Sequence, residues 1–205
     1  MTSLRLAACA ALALSCAPAV GAQRSSVSSP DGRTVVSLAV TSGQVRWSVA
    51  RDGMPVVMPS RLGFTFPNAP ALGDSLRMAD SSRADVDATF TLPLGEVATV
   101  RDQHRELRVK VVETTASARE FWVVVRVFDD GLGLRYELPE QPNLQDFEIM
   151  DELTEFSMAE DMKAWWIPAN IPTPDRQEML FSSGHISKLD LVQTRAQLLN
   201  SATEI

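Results

Sequence analysis

Apolar residues recur along this chain in short alternating or continuous runs, which is the period of β-strands rather than of helices. Residues 34–40 are rich in valine, and residues 44–51 place Val45, Trp47 and Val49 on one face. Residues 120–128 contain five consecutive β-branched and aromatic positions, the pattern of a strand buried on both faces. These runs predict a protein built from strands.

Turn residues separate the runs. Ser42-Gly43 and Asp52-Gly53 each lie between two apolar segments, and Asp130-Gly131 lies between residues 120–128 and residues 132–138. Such dipeptides favour tight hairpins, because glycine adopts positive φ at little cost. We therefore expect three hairpins, the last with a positive φ at Gly131.

The remaining segments complete an all-β pattern. Residues 67–87 carry prolines, a glycine and scattered charges and are predicted as a loop, and no segment of ten or more residues has a helical period before about Leu189. Many short strands with Gly, Pro and Asp turns between them indicate an antiparallel β-sandwich or barrel, and we predict one sandwich domain. The further strands expected are residues 55–58, 62–66, 96–100, 107–113, 147–150, 154–157 and 163–166.

The first residues have the features of an export signal. Arg5 precedes an apolar stretch over residues 6–20, too short to anchor the chain in a bilayer, and small residues up to Ala22 suit cleavage before Gln23. Residues 1–22 are therefore predicted as a signal peptide. A lipoprotein variant, modified at Cys16, is the less favoured alternative.

Cleavage leaves an acidic chain without cysteine, because Cys9 and Cys16 both precede Gln23. The formal charge of −7 becomes −8 when Arg5 is removed. An acidic chain repels phosphate, which argues against nucleic acid, and it gains nothing at anionic membrane surfaces. We expect a periplasmic or secreted protein with no membrane span and no disulfides.

Few residues suggest chemistry from their spacing alone. His104 and His185 lack a second His or Cys at ligand spacing, and His104 stands among charges typical of a solvated turn. No Gly-x-Ser-x-Gly elbow or phosphate-binding loop is present. The carboxylates Asp151, Glu152 and Glu155 are either a candidate acid–base group or, the interpretation we favour, a solvated sheet edge. Trp165 and Trp166 point to opposite sides of a strand, so one of them could stack on a sugar, although packing is favoured for both.

A set of motifs in fixed order resembles the N-terminal domain of glycoside hydrolase family 97, from about residue 27 to residue 191. The motifs are Ser29-Pro30-Asp31-Gly32, residues 44–49, residues 59–63, Arg105-Glu106-Leu107, residues 126–139, residues 151–156 and residues 164–168. The resemblance implies a β-supersandwich, similar to galactose mutarotase, from an exported exo-acting α-glucosidase or α-galactosidase. In that family the sandwich packs on a (β/α)₈ barrel that carries the catalytic carboxylates.

The resemblance also implies a calcium ligand. The family's sandwich contributes a glutamate to an active-site Ca²⁺, and Glu178 matches it, although Met179 stands where the family usually has Tyr. A loop carboxylate is a hard oxygen ligand of the kind calcium prefers. Glu178 is the single metal-ligand prediction.

The length leaves no room for the barrel, which alone takes about 250 residues. We predict a signal peptide over residues 1–22, the family 97 sandwich over residues 23–194, and a divergent or truncated tail over residues 195–205. No catalytic or organic-cofactor-binding residue is predicted. Two hypotheses follow: a fragment of an α-glycosidase that is inactive alone, or a stand-alone carbohydrate-binding or scaffold module. Neither glucoside nor galactoside is favoured.

Overall fold

The computed structural model describes residues 23–167 and 181–189, which are predominantly β-structure. Two four-stranded antiparallel sheets dominate, each with its strands in chain order. Two short strand pairs and a 3₁₀ helix at Ile186–Lys188 accompany them. The first sheet contains β1 (Gln23–Ser28), β2 (Thr34–Thr41), β3 (Gln44–Arg51) and β4 (Met54–Arg61). The second contains β6 (Leu76–Thr91), β7 (Thr99–Glu113), β8 (Glu120–Val127) and β9 (Leu132–Glu137). In the two short strand pairs, β5 (Phe64–Thr65) pairs with β10 (Asp151–Glu152), and β11 (Lys163–Trp166) pairs with β12 (Ser182–His185).

One apolar core joins the two large sheets. Val36 and Leu38 of β2 are fully buried in it, as are Val109 of β7 and Val123 of β8. Alternate residues of each strand supply this layer, as expected for two sheets packed face to face. The predicted all-β, antiparallel β-sandwich is confirmed.

Two of the three predicted hairpins have the expected turns. Ser42-Gly43 and Asp52-Gly53 all adopt positive φ, and the flanking residues pair directly, as in type I′ turns. The third hairpin differs. Val127 pairs with Leu132, the N–H of Phe128 donates to the carbonyl of Gly131, and Gly131 does not adopt a positive φ. The hairpin prediction is confirmed, but the positive φ predicted at Gly131 is wrong.

The loop predicted over residues 67–87 is wrong in its second half, where β6 begins at Leu76. β6 is the edge strand of its sheet and is exposed along most of its length. Edge strands carry charges that discourage pairing with other chains, so β6 shows little apolar alternation. Residues 96–100 and 107–113, predicted as two strands, belong to one segment in which β7 is continuous from Thr99.

The segment after β9 runs back along β4 and extends the edge of the first sheet. The N–H of Met58 donates to the carbonyl of Ser157, and the N–H of Ala159 donates to the carbonyl of Val56. Strands predicted over residues 147–150 and 154–157 are replaced by β10 and irregular backbone, whereas the strand at residues 163–166 is confirmed as β11.

Candidate functional site

The hairpin of β11 and β12 holds the ends of the segment that carries Glu178. Trp166 pairs with Ser182, and Lys163 pairs with His185. Glu178 itself lies outside the described residues, so its role as a calcium ligand stays a prediction. The base of the hairpin is held by Asp161, whose carboxylate accepts hydrogen bonds from the N–H and the hydroxyl of Ser187 at 2.9 and 2.7 Å.

The two tryptophans of β11 have different surroundings. Trp165 is 63% exposed, and the ammonium of Lys163 lies 4.8 Å from the centre of its ring. Trp166 is half-buried and packs within 3.6 Å of the position that a Cβ at Gly184 would occupy. Packing is therefore confirmed for Trp166 and wrong for Trp165, whose ring is the one available to a ligand or partner.

Asp161, His185 and Ser187 are the residue types of a nucleophilic triad, but they are not arranged as one. The Ser187 hydroxyl donates to Asp161 Oδ2 instead of contacting the imidazole, and His185 Nδ1 lies 2.9 Å from the backbone carbonyl of Asp161. The Ser187 N–H, and then its hydroxyl, hold the pKa of Asp161 below its usual range. The Ser187 hydroxyl therefore has no contact with the imidazole base that a Ser-His-Asp triad requires. These contacts hold the base of the β11–β12 hairpin.

The carboxylates after β10 make structural contacts. Glu155 Oε2 accepts the N–H of Arg61 at 2.9 Å, and Glu152 Oε1 accepts the hydroxyl of Thr154 at 2.6 Å. The same Thr154 oxygen lies 2.6 Å from the hydroxyl of Tyr136. Glu155 fastens this segment to the first sheet, and Glu152 ends a short hydrogen-bonded chain. These contacts support the sheet-edge interpretation over an acid–base pair.

An apolar cleft of about 470 Å³ opens between β3 and β9. It is lined by Trp47, Leu132, Leu134, Glu152, Thr154 and Phe156. Phe156 is 65% exposed and meets Trp47 edge-on at 5.1 Å between ring centres, while Trp47 Nε1 donates to the carbonyl of Glu155. The cleft offers an aromatic face and one carboxylate, which is a binding surface without a catalytic pair.

His104 was predicted in a solvated turn, and this is wrong. It lies in β7 with 2% of its surface exposed, on the face of the sheet that points away from the core. Nδ1 is hydrogen-bonded to Asp102, and the ring packs against Phe128 with 5.0 Å between centres. The charged residues on both sides of His104 suggested exposure to solvent. Its burial left no sign in the sequence, because Phe128, the residue that covers it, is distant in sequence.

Among residues 23–167 and 181–189, no group of three His, Cys, Asp or Glu side chains is placed to hold a metal ion. The same residues contain no helix long and apolar enough to cross a membrane. The fold and these contacts define a β-sandwich whose described polar clusters serve structure, with exposed aromatic rings at Phe156 and Trp165.

Comparison with known proteins places this sandwich in a family. The profile described as Glycosyl-hydrolase 97 N-terminal matches residues 27–201, and the chain belongs to that family. A probable retaining α-galactosidase of Streptomyces bingchenggensis is 30% identical over 143 residues, which cover 67% of this chain and 20% of the relative. The retaining α-galactosidase of Bacteroides thetaiotaomicron is 20% identical over 154 residues, covering 75% and 22%.

Comparison with solved structures leads to the same family. A glycoside hydrolase family 97 enzyme from Pseudoalteromonas sp. strain K8, in complex with acarbose, superposes with a TM-score of 0.73 and 30% identity over 78% of this chain and 24% of its own. The E480Q form of the enzyme, in complex with panose, gives a TM-score of 0.68 and 32% identity over 71% and 22%. The chain thus spans about a fifth of the curated relatives and about a quarter or less of these structures.

Proposed function

We propose that this chain acts as the N-terminal β-sandwich of an exported α-glycosidase, packed on a catalytic (β/α)₈ barrel supplied by another part of the enzyme. The observation that carries the proposal is the family match over residues 27–201, together with alignments that cover only 20% and 22% of the two curated relatives. A glycosidase needs two carboxyl groups on either side of the scissile bond. Glu152 and Glu155, the best placed of the described carboxylates, are engaged in structural hydrogen bonds instead.

Within such an enzyme, Glu178 supplies one ligand of an active-site calcium ion. Calcium takes six to eight oxygen ligands, and no group of three candidate ligands occurs among the described residues. The paired strands β11 and β12 support this role, because they fix both ends of the segment that carries Glu178. When bound, the calcium would help hold and polarise the substrate.

We take α-galactosides as the substrate class of the whole enzyme. Both curated relatives named above are called retaining α-galactosidases, and that activity is assigned to them. The Pseudoalteromonas structures are complexes with panose and with acarbose, so α-glucosides are the alternative. Export through the signal peptide over residues 1–22, to the periplasm or outside the cell, is part of the proposal, and no membrane span is needed for it.

A second candidate is a stand-alone carbohydrate-binding module. The exposed rings of Phe156 beside the cleft and of Trp165 on β11 favour it, because aromatic faces stack on sugar rings. Calorimetry of the isolated chain against α-galactosides and α-glucans separates the two functions. Binding that is lost in Phe156→Ala or Trp165→Ala would support the module, and the absence of heat with every sugar would count against it.

The proposed function is tested with a hybrid enzyme. Residues 27–201 replace the matching segment of the Streptomyces α-galactosidase, and p-nitrophenyl α-galactoside hydrolysis is measured. We expect turnover by the hybrid and none by the 205-residue chain alone. Calcium titration of the hybrid by calorimetry should show a site that is weakened at least about tenfold by Glu178→Gln, because one charged ligand is lost. A hybrid that folds without turnover would contradict the proposal.

A further inference from the structure

The hairpin of β6 and β7 continues well beyond the sheet to which it belongs. The last pair between β7 and β8 is Arg105 with Val127, whereas β6 and β7 remain paired with each other from Val86–His104 to Thr91–Thr99. Six pairs at about 3.3 Å per residue give an extension of about 20 Å. We call residues 86–104 the arm.

Side-chain contacts hold the base of the arm and join its two strands. At its base, His104 is buried against Phe128 and hydrogen-bonded to Asp102. Further out, Arg101 of β7 makes two hydrogen bonds, at 2.8 and 2.7 Å, to the carboxylate of Asp87 on β6. Arg101 holds the pKa of Asp87 below its usual range. A preorganised element loses little conformational entropy when it binds.

The tip of the arm exposes a cluster of large apolar side chains to solvent. Leu94 is 87% exposed, Val97 57%, Phe90 47% and Leu92 38%. Single exposed apolar residues are ordinary on protein surfaces, but four within eight positions at the end of a projecting hairpin mark an interaction site.

The arm leaves the sandwich at the end from which the chain enters β11. Arg51, at the end of β3, donates to the carbonyl of Asp129 in the loop beside the base of the arm. β4 starts at this end, and the later segment reaches it where Ala159 bonds to Val56. Lys163, the first residue of β11, follows four positions later. The chain thus approaches β11 from the end where the arm projects.

We propose that the arm is a docking element whose apolar tip packs on the catalytic portion of a family 97 glycosidase, an inference that rests on the proposed function. The relatives carry about four fifths of their length beyond the matched region, which is the partner that such a tip requires. The tip then fixes the orientation of the sandwich on that partner.

The test compares the 205-residue chain with the hybrid enzyme by hydrogen–deuterium exchange. Amides of residues 90–98 should exchange at least about tenfold more slowly in the hybrid, because docking suppresses local opening. The tip variant Phe90→Ser/Leu94→Ser should lose this protection. The control variant Ile149→Ser/Met150→Ser, with side chains 44% and 64% exposed at the opposite end, should keep it.

Each outcome has a separate meaning. Turnover by the hybrid with equal exchange at the tip in both proteins would overturn the docking arm and leave the proposed function standing. Protection at the tip without turnover would support the arm and count against the proposed function. Equal exchange and no turnover in a folded hybrid would overturn both. If the amides of residues 90–98 exchange more slowly in the 205-residue chain at higher protein concentration, the partner is a second copy of the chain, and the proposal is contradicted.

Discussion

Arg119 and Glu113 form a bidentate ion pair that is almost completely buried beside the core of the sandwich. Arg119 Nε and Nη2 lie 2.8 and 2.7 Å from the two carboxylate oxygens, and both side chains are 4% exposed. The guanidinium also donates to the carbonyls of Pro70 and Ala71 and lies over the ring of Phe66. The pair therefore ties the segment before β6 to the end of β7.

Breaking this pair should destabilise the chain strongly. Arg119→Met leaves Glu113 buried without its partner, and we expect a loss of about 3–5 kcal/mol in the free energy of unfolding. The measurement is urea denaturation of the wild type, both single variants and the double variant Glu113→Leu/Arg119→Met. The double variant should recover part of the loss, because no unpaired charge remains. Additive losses in this cycle would contradict the coupling.

Three glycines should respond differently to alanine. Gly63→Ala places a Cβ 2.6 Å from the carbonyl oxygen of Leu72 and should cost the most stability. Gly53→Ala meets no atom, but its φ of 79° is in the left-handed region and should cost about 1–2 kcal/mol. Gly131→Ala, with open space and no positive φ, should be nearly neutral. Thermal unfolding of the three variants checks the order of their losses in stability. A large loss in Gly131→Ala would contradict the structure and support the positive φ expected there from the sequence.

Tyr136 should make stability fall in alkaline solution. Burial raises the pKa of Tyr136 to about 12, against an ordinary value near 10. The folded protein therefore holds the phenolic proton that the unfolded chain releases. The stability that the protonated Tyr136 contributes to the folded state is complete below pH 10 and is lost as the pH rises to 12. Tyr136→Phe should flatten the decline in unfolding free energy between pH 10 and pH 12, and a decline equal to that of the wild type would contradict the assignment.

The strands of the core were predictable because their burial is one-sided and regular. Residues 44–51 alternate, residues 34–40 are rich in valine, and the paired positive φ values at Ser42-Gly43 and Asp52-Gly53 follow from the sequence. β6 was missed because its exposed edge position selects charges and serines, which leave no apolar period. The local pattern of apolar residues reflects burial, and a strand that is mostly exposed leaves little such pattern in the sequence.

The candidate site was predictable only in part. Trp165 and Trp166 were placed on opposite sides of a strand, and the structure exposes only Trp165. The burial of His104 depends on Phe128, and the contact of Glu155 with Arg61 joins residues far apart in the chain. Such long-range contacts leave no local signal in a single sequence. The arm was likewise unforeseen, because it exists only through the different lengths of β7 and β8 in the sheet.

The most direct test of the central claim is hydrolysis of p-nitrophenyl α-galactoside by two proteins with the same N-terminal sandwich. The purified 205-residue chain should release no nitrophenol, whereas the hybrid that joins residues 27–201 to the rest of the Streptomyces α-galactosidase should turn the substrate over. Turnover by the isolated chain would contradict the account, because it would require catalytic carboxylates within this sandwich.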